Sequence, residues 1–313
     1  MAGMTPFLRE LPKAELHLHL EGSVEIETWL ALDPSLASAE VRDAYSYDGF
    51  QGFLRCFKWC VERLRTPEDY GFIAARLLDR LARQNVRYAE ITLSAGAVLW
   101  RGRDLDAVYA EVRRVSKDWP GVETRWILDA IRHFGPDPAM DVARFAAARV
   151  NDGVAAFGIG GDEERGPADW FAGVYDFARA SGLRVNAHAG ETAGPESVWA
   201  ALRIGAERIG HGIRSIEDPT LLRELRDRNV PLEICVTSNV MTGAVKDLRA
   251  HPVRMLYEAG VPIILNTDDP GIFGVTLCSE FELAAREFGF SESELREIAA
   301  NGFRYAFSKD SPA

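Results

Sequence analysis

Two histidines stand two apart in Glu15-Leu-His-Leu-His-Leu20. A strand there would turn His17 and His19 to one face and Leu16, Leu18 and Leu20 to the other. With so few histidines in the chain, a chance His-x-His pair is expected only about 0.1 times. His188 lies in Asn186-Ala-His-Ala-Gly-Glu191, His211 in Gly210-His-Gly212, and an acidic pair in Leu265-Asn-Thr-Asp-Asp-Pro270. Each follows an apolar, β-rich run, so each belongs at the C-terminal end of a strand. Imidazole and carboxylate suit zinc, and three or four protein ligands leave a position for water, which the metal ionises near neutral pH. The chemistry implied is hydrolytic.

Glu191 comes three residues after His188, near enough to a metal to shuttle a proton without ligating it. Burial beside apolar groups would keep its carboxyl protonated near neutral pH. Asp268 and Asp269 are adjacent and cannot point the same way from a regular strand, so one is expected to ligate and the other to hydrogen-bond. The run Val154–Gly161 holds no Lys, Asp or Glu to bridge a second ion. One metal per chain is expected.

Eight runs read as strands: Ala14–Leu20, Val86–Leu93, Glu123–Ala130, Val154–Gly161, Leu183–Gly190, Arg208–Gly212, Pro231–Val236 and Pro262–Asp269. Helical periodicity follows most of them, over Asp69–Gln84, Leu105–Ser116, Pro138–Ala148, Ala168–Ala180, Glu196–Ile204 and Pro219–Arg228. Alternation of this kind predicts a single α/β domain over residues 1–313, a (β/α)₈ TIM-type barrel whose chemistry gathers at the C-terminal ends of its strands. A doubly wound sheet would want Gly-x-Gly-x-x-Gly after an early strand, and Glu21-Gly22-Ser23 stands there instead. The first crossover, Glu21–Asn85, is the longest. Within it Phe50, Phe53, Leu54 and Phe57 share one helical face, placed to cover the site and touch substrate as an apolar lid.

The chain has 313 residues and a net charge of -11, which disfavours nucleic acid and anionic lipid as partners. Its four cysteines are too few and too scattered for a disulfide scaffold. Neither a leader nor an apolar run long enough to span a membrane is visible, so a cytoplasmic protein is expected. His251 reads as a capping or surface residue, Arg132 and His133 as structural residues at the catalytic rim with a substrate contact as the alternative, and Asp162-Glu-Glu164 as a solvated loop apart from the backbone at its start.

Taken together, Leu11-Pro-Lys-Ala-Glu-Leu-His-Leu-His-Leu-Glu-Gly22, Gly161-Asp-Glu163, His188-Ala-Gly-Glu191, Gly210-His-Gly212, Thr237-Ser-Asn239 and Leu265-Asn-Thr-Asp-Asp-Pro270 resemble the adenosine deaminase family of the amidohydrolase superfamily. The resemblance implies one zinc ion on His17, His19, His188 and Asp268. It implies that Glu191 protonates N1 of a purine small-molecule substrate, that His211 positions and deprotonates the water, and that Asp269 orients the nucleophile and contacts N7. The N–H of Gly161 would meet N3. Attack at C6 would release ammonia and leave a 6-oxopurine.

One position departs from the pattern. Glu21 stands where adenosine deaminases carry an aspartate for the ribose 5′-hydroxyl, and its extra methylene shifts the carboxylate by roughly an ångström, enough to redirect a hydrogen bond. The Glu form resembles members acting on free adenine or on 5′-substituted nucleosides such as 6-amino-6-deoxyfutalosine. The stretch Asn266–Gly274 resembles the nucleoside enzymes, so a plain or 5′-modified adenine nucleoside is the expected substrate. Free adenine, or another mononuclear metal-dependent amidohydrolase reaction, is the alternative.

Overall fold

The computed structural model describes residues 6–307, so 1–5 and 308–313 of the expected 1–313 domain lie outside the described residues. Eight parallel strands follow one another in chain order around one sheet: β1 (Lys13–His19), β2 (Val86–Leu93), β3 (Glu123–Ile131), β4 (Val154–Gly160), β5 (Arg184–Ala189), β6 (Arg208–His211), β7 (Leu232–Ile234) and β8 (Ile263–Leu265). Helices return the chain from each strand to the next, giving the (β/α)₈ barrel that the alternation predicts. The helix Pro67–Arg83 shows why such segments form. Thr66 and Asp69 make a reciprocal capping box and Pro67 occupies the first turn. Ile73, Leu77, Leu78 and Leu81 are then buried on one face, each contributing about 1.5–3 kcal/mol.

Closure between β8 and β1 departs from a regular ladder. β8 ends at Leu265, short of the predicted Asp269. Asn266 Oδ1 takes over as acceptor, for the backbone N–H groups of both Leu16 (2.8 Å) and His17 (3.1 Å). Two consecutive donors share one acceptor, and on its other side β1 bulges against β2, its register irregular between Glu15 and Leu18. The strict alternation expected of β1 therefore fails. Leu16 packs with Ala14, Tyr88, Ile264 and Ala306, whereas Leu18 and Leu20 join the main core. Beyond the bulge, Asp268 N donates to His17 O (3.0 Å) and His19 N donates to Asp268 O (2.8 Å). The contact that completes the barrel is thus made by the residue expected to bind metal.

The inside of the barrel is charged below the site. Arg208 is fully buried between Glu90 and Glu233, with Nε 2.5 Å from Glu233 Oε1, and the Phe307 ring covers its guanidinium at 3.5 Å. All four cysteines are buried and unpaired. Among the described residues no helix is long and apolar enough to cross a membrane. The predicted helix Ala168–Ala180 divides into a 3₁₀ turn, Ala168–Phe171, and a helix, Ala172–Ala180. Two helices after β8, Leu277–Phe288 and Glu292–Arg304, were not among the predicted segments, although Ser291 and Glu294 form a capping box at the second.

Candidate active site

His17, His19, His188 and Asp268 come from β1, β5 and the bridge after β8, and one ligand atom from each lies within 4.8 Å of all the others. Two rings hold their Nδ1 in hydrogen bonds and turn Nε2 inward, with His188 Nε2 3.2 Å from His19 Nε2. His17 Nδ1 donates to Glu233 Oε2 (2.8 Å), and His188 Nδ1 donates to Ile159 O (3.1 Å). His17 Nε2 is buried without a hydrogen-bond partner. Asp268 Oδ1 lies 3.4 Å from it and 3.3 Å from His19 Nε2, while Ser238 Oγ donates to the other carboxylate oxygen at 2.6 Å. Burial lowers the pKa of His19 to about 4 and that of His188 well below its usual value. For His17 burial is outweighed by the Asp268 and Glu233 carboxylates, which raise it to about 10. Converging ring nitrogens, one of them orphaned, and second-sphere carboxylate and carbonyl acceptors fit a divalent ion of the zinc class, which would displace the His17 proton on binding.

Two glycines make room for this cluster. A Cβ on Gly210 would come 2.7 Å from His17 Cε1, and one on Gly22 would overlap Asp269 Oδ1 at 1.6 Å. Asp268 adopts φ 64°, a left-handed conformation that carboxamide and carboxylate residues tolerate better than most. That turn separates the two acids. Asp268 faces the imidazoles, and Asp269 lines the cavity with an unpartnered Oδ1, its pKa raised by burial and by Asp268.

Glu191 also lines the cavity. Burial first, then the charges of Asp268 and Glu163, hold its pKa well above the usual carboxylate range. Its backbone is held by a residue that the sequence reading left in solvent. Glu163 is buried and accepts from the N–H groups of Gly190, Glu191 and Thr192, each at 2.8 Å, and from Ser197 Oγ. Asp162 is buried too and accepts from Gln51 Nε2 at 2.9 Å, so of the predicted solvated loop only Glu164 is exposed.

His251 caps the helix Val253–Glu258, as one of its two predicted roles required, and is buried rather than at the surface. Its Nδ1 accepts from Val253 N (3.2 Å), which requires a neutral His251 to carry its hydrogen on Nε2. That hydrogen is donated to Asn239 Oδ1 (3.1 Å), so the Asn239 amide nitrogen faces His211 Nδ1 (3.0 Å) and donates to it. A neutral His211 then carries its own hydrogen on Nε2, 3.7 Å from Glu191 Oε2 and 4.0 Å from Asp268 Oδ2. The resemblance implied a base at this position. In this tautomer the ring offers a donor there.

A cavity of about 420 Å³ opens above these groups, within the range of pockets that enclose drug-sized ligands. Phe50, Phe53, Leu54 and Phe57 of the helix Gly49–Arg63 line it, with Phe57 edge-on to His19 at 6.1 Å and Phe53 stacked on Phe273 at 5.5 Å. Gly161, at φ 97°, and His133 also line it. Arg132 does not; it is fully buried and donates to Gly166 O (2.6 Å) and His188 O (2.7 Å). Nor does Glu21 reach the wall. It is fully buried, and Oε1 accepts from Ser94 N at 3.1 Å. Asp129, absent from the sequence reading, does line the cavity. A lone acid in the apolar run Trp-Ile-Leu-Asp-Ala-Ile was the available signal, as was Glu233 in Leu-Glu-Ile.

A family model described as adenosine deaminase matches residues 12–312. The aminodeoxyfutalosine deaminase of Streptomyces coelicolor is 38% identical over 315 residues, covering 96% of this chain and 81% of that protein. Among solved structures, an adenine deaminase from Arthrobacter aurescens superposes with a TM-score of 0.89 at 33% identity, over 96% of this chain and 95% of that one. An amidohydrolase from Burkholderia ambifaria with bound zinc gives 0.88 at 30% identity, over 97% and 88%.

Proposed function

The chain belongs to the adenosine deaminase family as a hydrolytic deaminase of adenine-type substrates, and we propose that it acts at C6 of an adenine nucleoside with a modified 5′ position. In this reading His17, His19, His188 and Asp268 hold one zinc ion. Bound there, zinc acts as a Lewis acid that makes water nucleophilic near neutral pH.

The protein's own residues supply orientation and protons. Glu191, kept protonated by burial, gives its proton to N1 as C6 is attacked. The Gly161 N–H donates to N3, and the Asp269 carboxyl contacts N7. His211, with hydrogen on Nε2, orients the attacking oxygen as a donor. As the oxygen adds to C6, one water proton returns to the Glu191 carboxylate and the other passes to the exocyclic amine; the C6–N bond then breaks, and ammonia leaves a 6-oxopurine. The apolar lid face excludes bulk water, which strengthens each of these polar contacts.

The cavity carries the choice of substrate. Besides the histidines, its lining includes the apolar Phe50, Leu54, Trp100 and Phe134 and the exposed cations Arg55, Lys58 and Arg165. Lys58 is 4.0 Å from Glu62, while Arg55 and Arg165 have no side-chain ion-pair partner among the described residues. Such a lining suits a nucleoside with an apolar 5′ body and an anionic end, as in 6-amino-6-deoxyfutalosine. Free adenine is a second reading, supported by the similarity to an adenine deaminase and by Glu21 lying away from the cavity. Zinc-loaded protein is expected to release one ammonia per 6-aminopurine consumed, with loss of absorbance near the adenine band. Release from no 6-aminopurine would end the proposal.

A further inference from the structure

The sector of the barrel mouth between β1 and β3 holds acidic groups to which the proposed reaction gives no work. Round the mouth, Glu191 follows β5, Gly161 follows β4, Asp129 lies near the end of β3, Ser94 follows β2, Glu21 follows β1, and Asp269 comes after β8. The perimeter of a purine reads N1, N3, N9, N7. With N1 at Glu191, N3 at Gly161 and N7 at Asp269, N9 must face the sector that holds Asp129, Ser94 and Glu21. In a nucleoside N9 carries the ribose, whose hydroxyls are hydrogen-bond donors.

Within that sector one acid reaches the cavity. Glu21 is fully buried behind the wall, its Oε1 accepting from Ser94 N and its Oε2 out of reach of the cavity. Asp129 lines the cavity at 5% exposure, and its Oδ1 has no hydrogen-bond partner. No cation pairs with it among the described residues. Gly160 gives it room, since a Cβ there would come 3.0 Å from Asp129 Oδ2. A buried carboxylate oxygen without a donor is costly unless a ligand supplies one. We infer that Asp129 is a specificity-determining residue that accepts the 2′- or 3′-hydroxyl of the substrate's ribose, a different hydroxyl from the 5′ one that the family pattern pairs with the Glu21 position. The inference rests on the purine orientation proposed above.

The test is kcat/KM of zinc-loaded wild type, Asp129→Ala and Asp129→Asn on adenosine, 2′-deoxyadenosine, 3′-deoxyadenosine and adenine. Both variants should lose about 10- to 100-fold on adenosine, as expected for a hydrogen bond to a charged group. The wild type should lose a similar factor on the deoxynucleoside that lacks the contacted hydroxyl, and the variants should lose nothing further there. Adenine should be unaffected. Binding of inosine to the metal-free proteins by calorimetry should weaken in the variants while hypoxanthine binding stays level, a readout independent of turnover. Equal losses on all four substrates, or a loss on adenine alone, would overturn the inference and leave the deaminase reading standing. A wild type that releases ammonia from no 6-aminopurine, 6-amino-6-deoxyfutalosine included, would overturn both.

Discussion

His17 reaches the centre of the site with one ring nitrogen committed to Glu233, which is in turn charged and held by Arg208. Burial alone would raise the Glu233 pKa, but Arg208 and His17 bring it down to about 2. Glu233 fixes the ring with Nε2 inward, where a metal would displace the proton that the flanking carboxylates hold on it, so metal affinity belongs to Glu233 and Arg208 as much as to His17. His17→Ala and Asp268→Ala are expected to lose zinc and activity together, and Glu233→Gln to weaken zinc about 10- to 100-fold. Glu191→Gln should keep its zinc and lose about 10²–10⁴ in kcat, because it removes the N1 proton donor. Metal content after gel filtration, read beside turnover, separates the two roles, and a fully loaded His17→Ala protein would contradict the ligand set. The histidines were legible in the sequence because strand periodicity and placement at run ends are written in residue order. Glu163 and His251 were not. What removes them from solvent is contact with segments distant in the chain, and residue type alone favours the surface for both.

At the scale of elements, the loop after β4 sets the chemistry of the loop after β5. Glu163 accepts three backbone N–H groups across Gly190–Thr192, and its charge is one of the causes that lift Glu191. Removing that charge lowers the Glu191 pKa. Because Glu191 acts while protonated, the alkaline limb of kcat/KM against pH should move to lower pH in Glu163→Gln. An unmoved limb would mean that Glu163 only braces the backbone. The eight strands were legible as apolar runs, but their ends were not. β8 loses four predicted residues at its C-terminal end because the Asn266 side chain replaces backbone pairing and Asp268 turns left-handed. A closure of this kind arises from two strands meeting at opposite ends of the chain, and neither strand signals it alone.

Over the whole molecule, the buried acids make stability depend on pH. Burial raises Glu15 and Glu21 to about 8, and Asp129 and Glu280 to about 7. Between about 4 and these values the folded chain binds more protons than the unfolded one, so stability falls as pH rises. His19, at about 4, and His211 and His251, at about 3, act in the opposite sense, but only below their unfolded value of about 6.5. Metal-free protein should therefore lose thermal stability between pH 6.5 and about 8. A melting midpoint that is flat or rising over that window would contradict the protonation states described. The central claim concerns what the whole cavity encloses, and it is tested most directly by kcat/KM of zinc-loaded protein for 6-amino-6-deoxyfutalosine, 5′-methylthioadenosine, adenosine and adenine in one series. The anionic 5′-modified nucleoside should rank first and adenine last. Adenine ranking first would contradict the account.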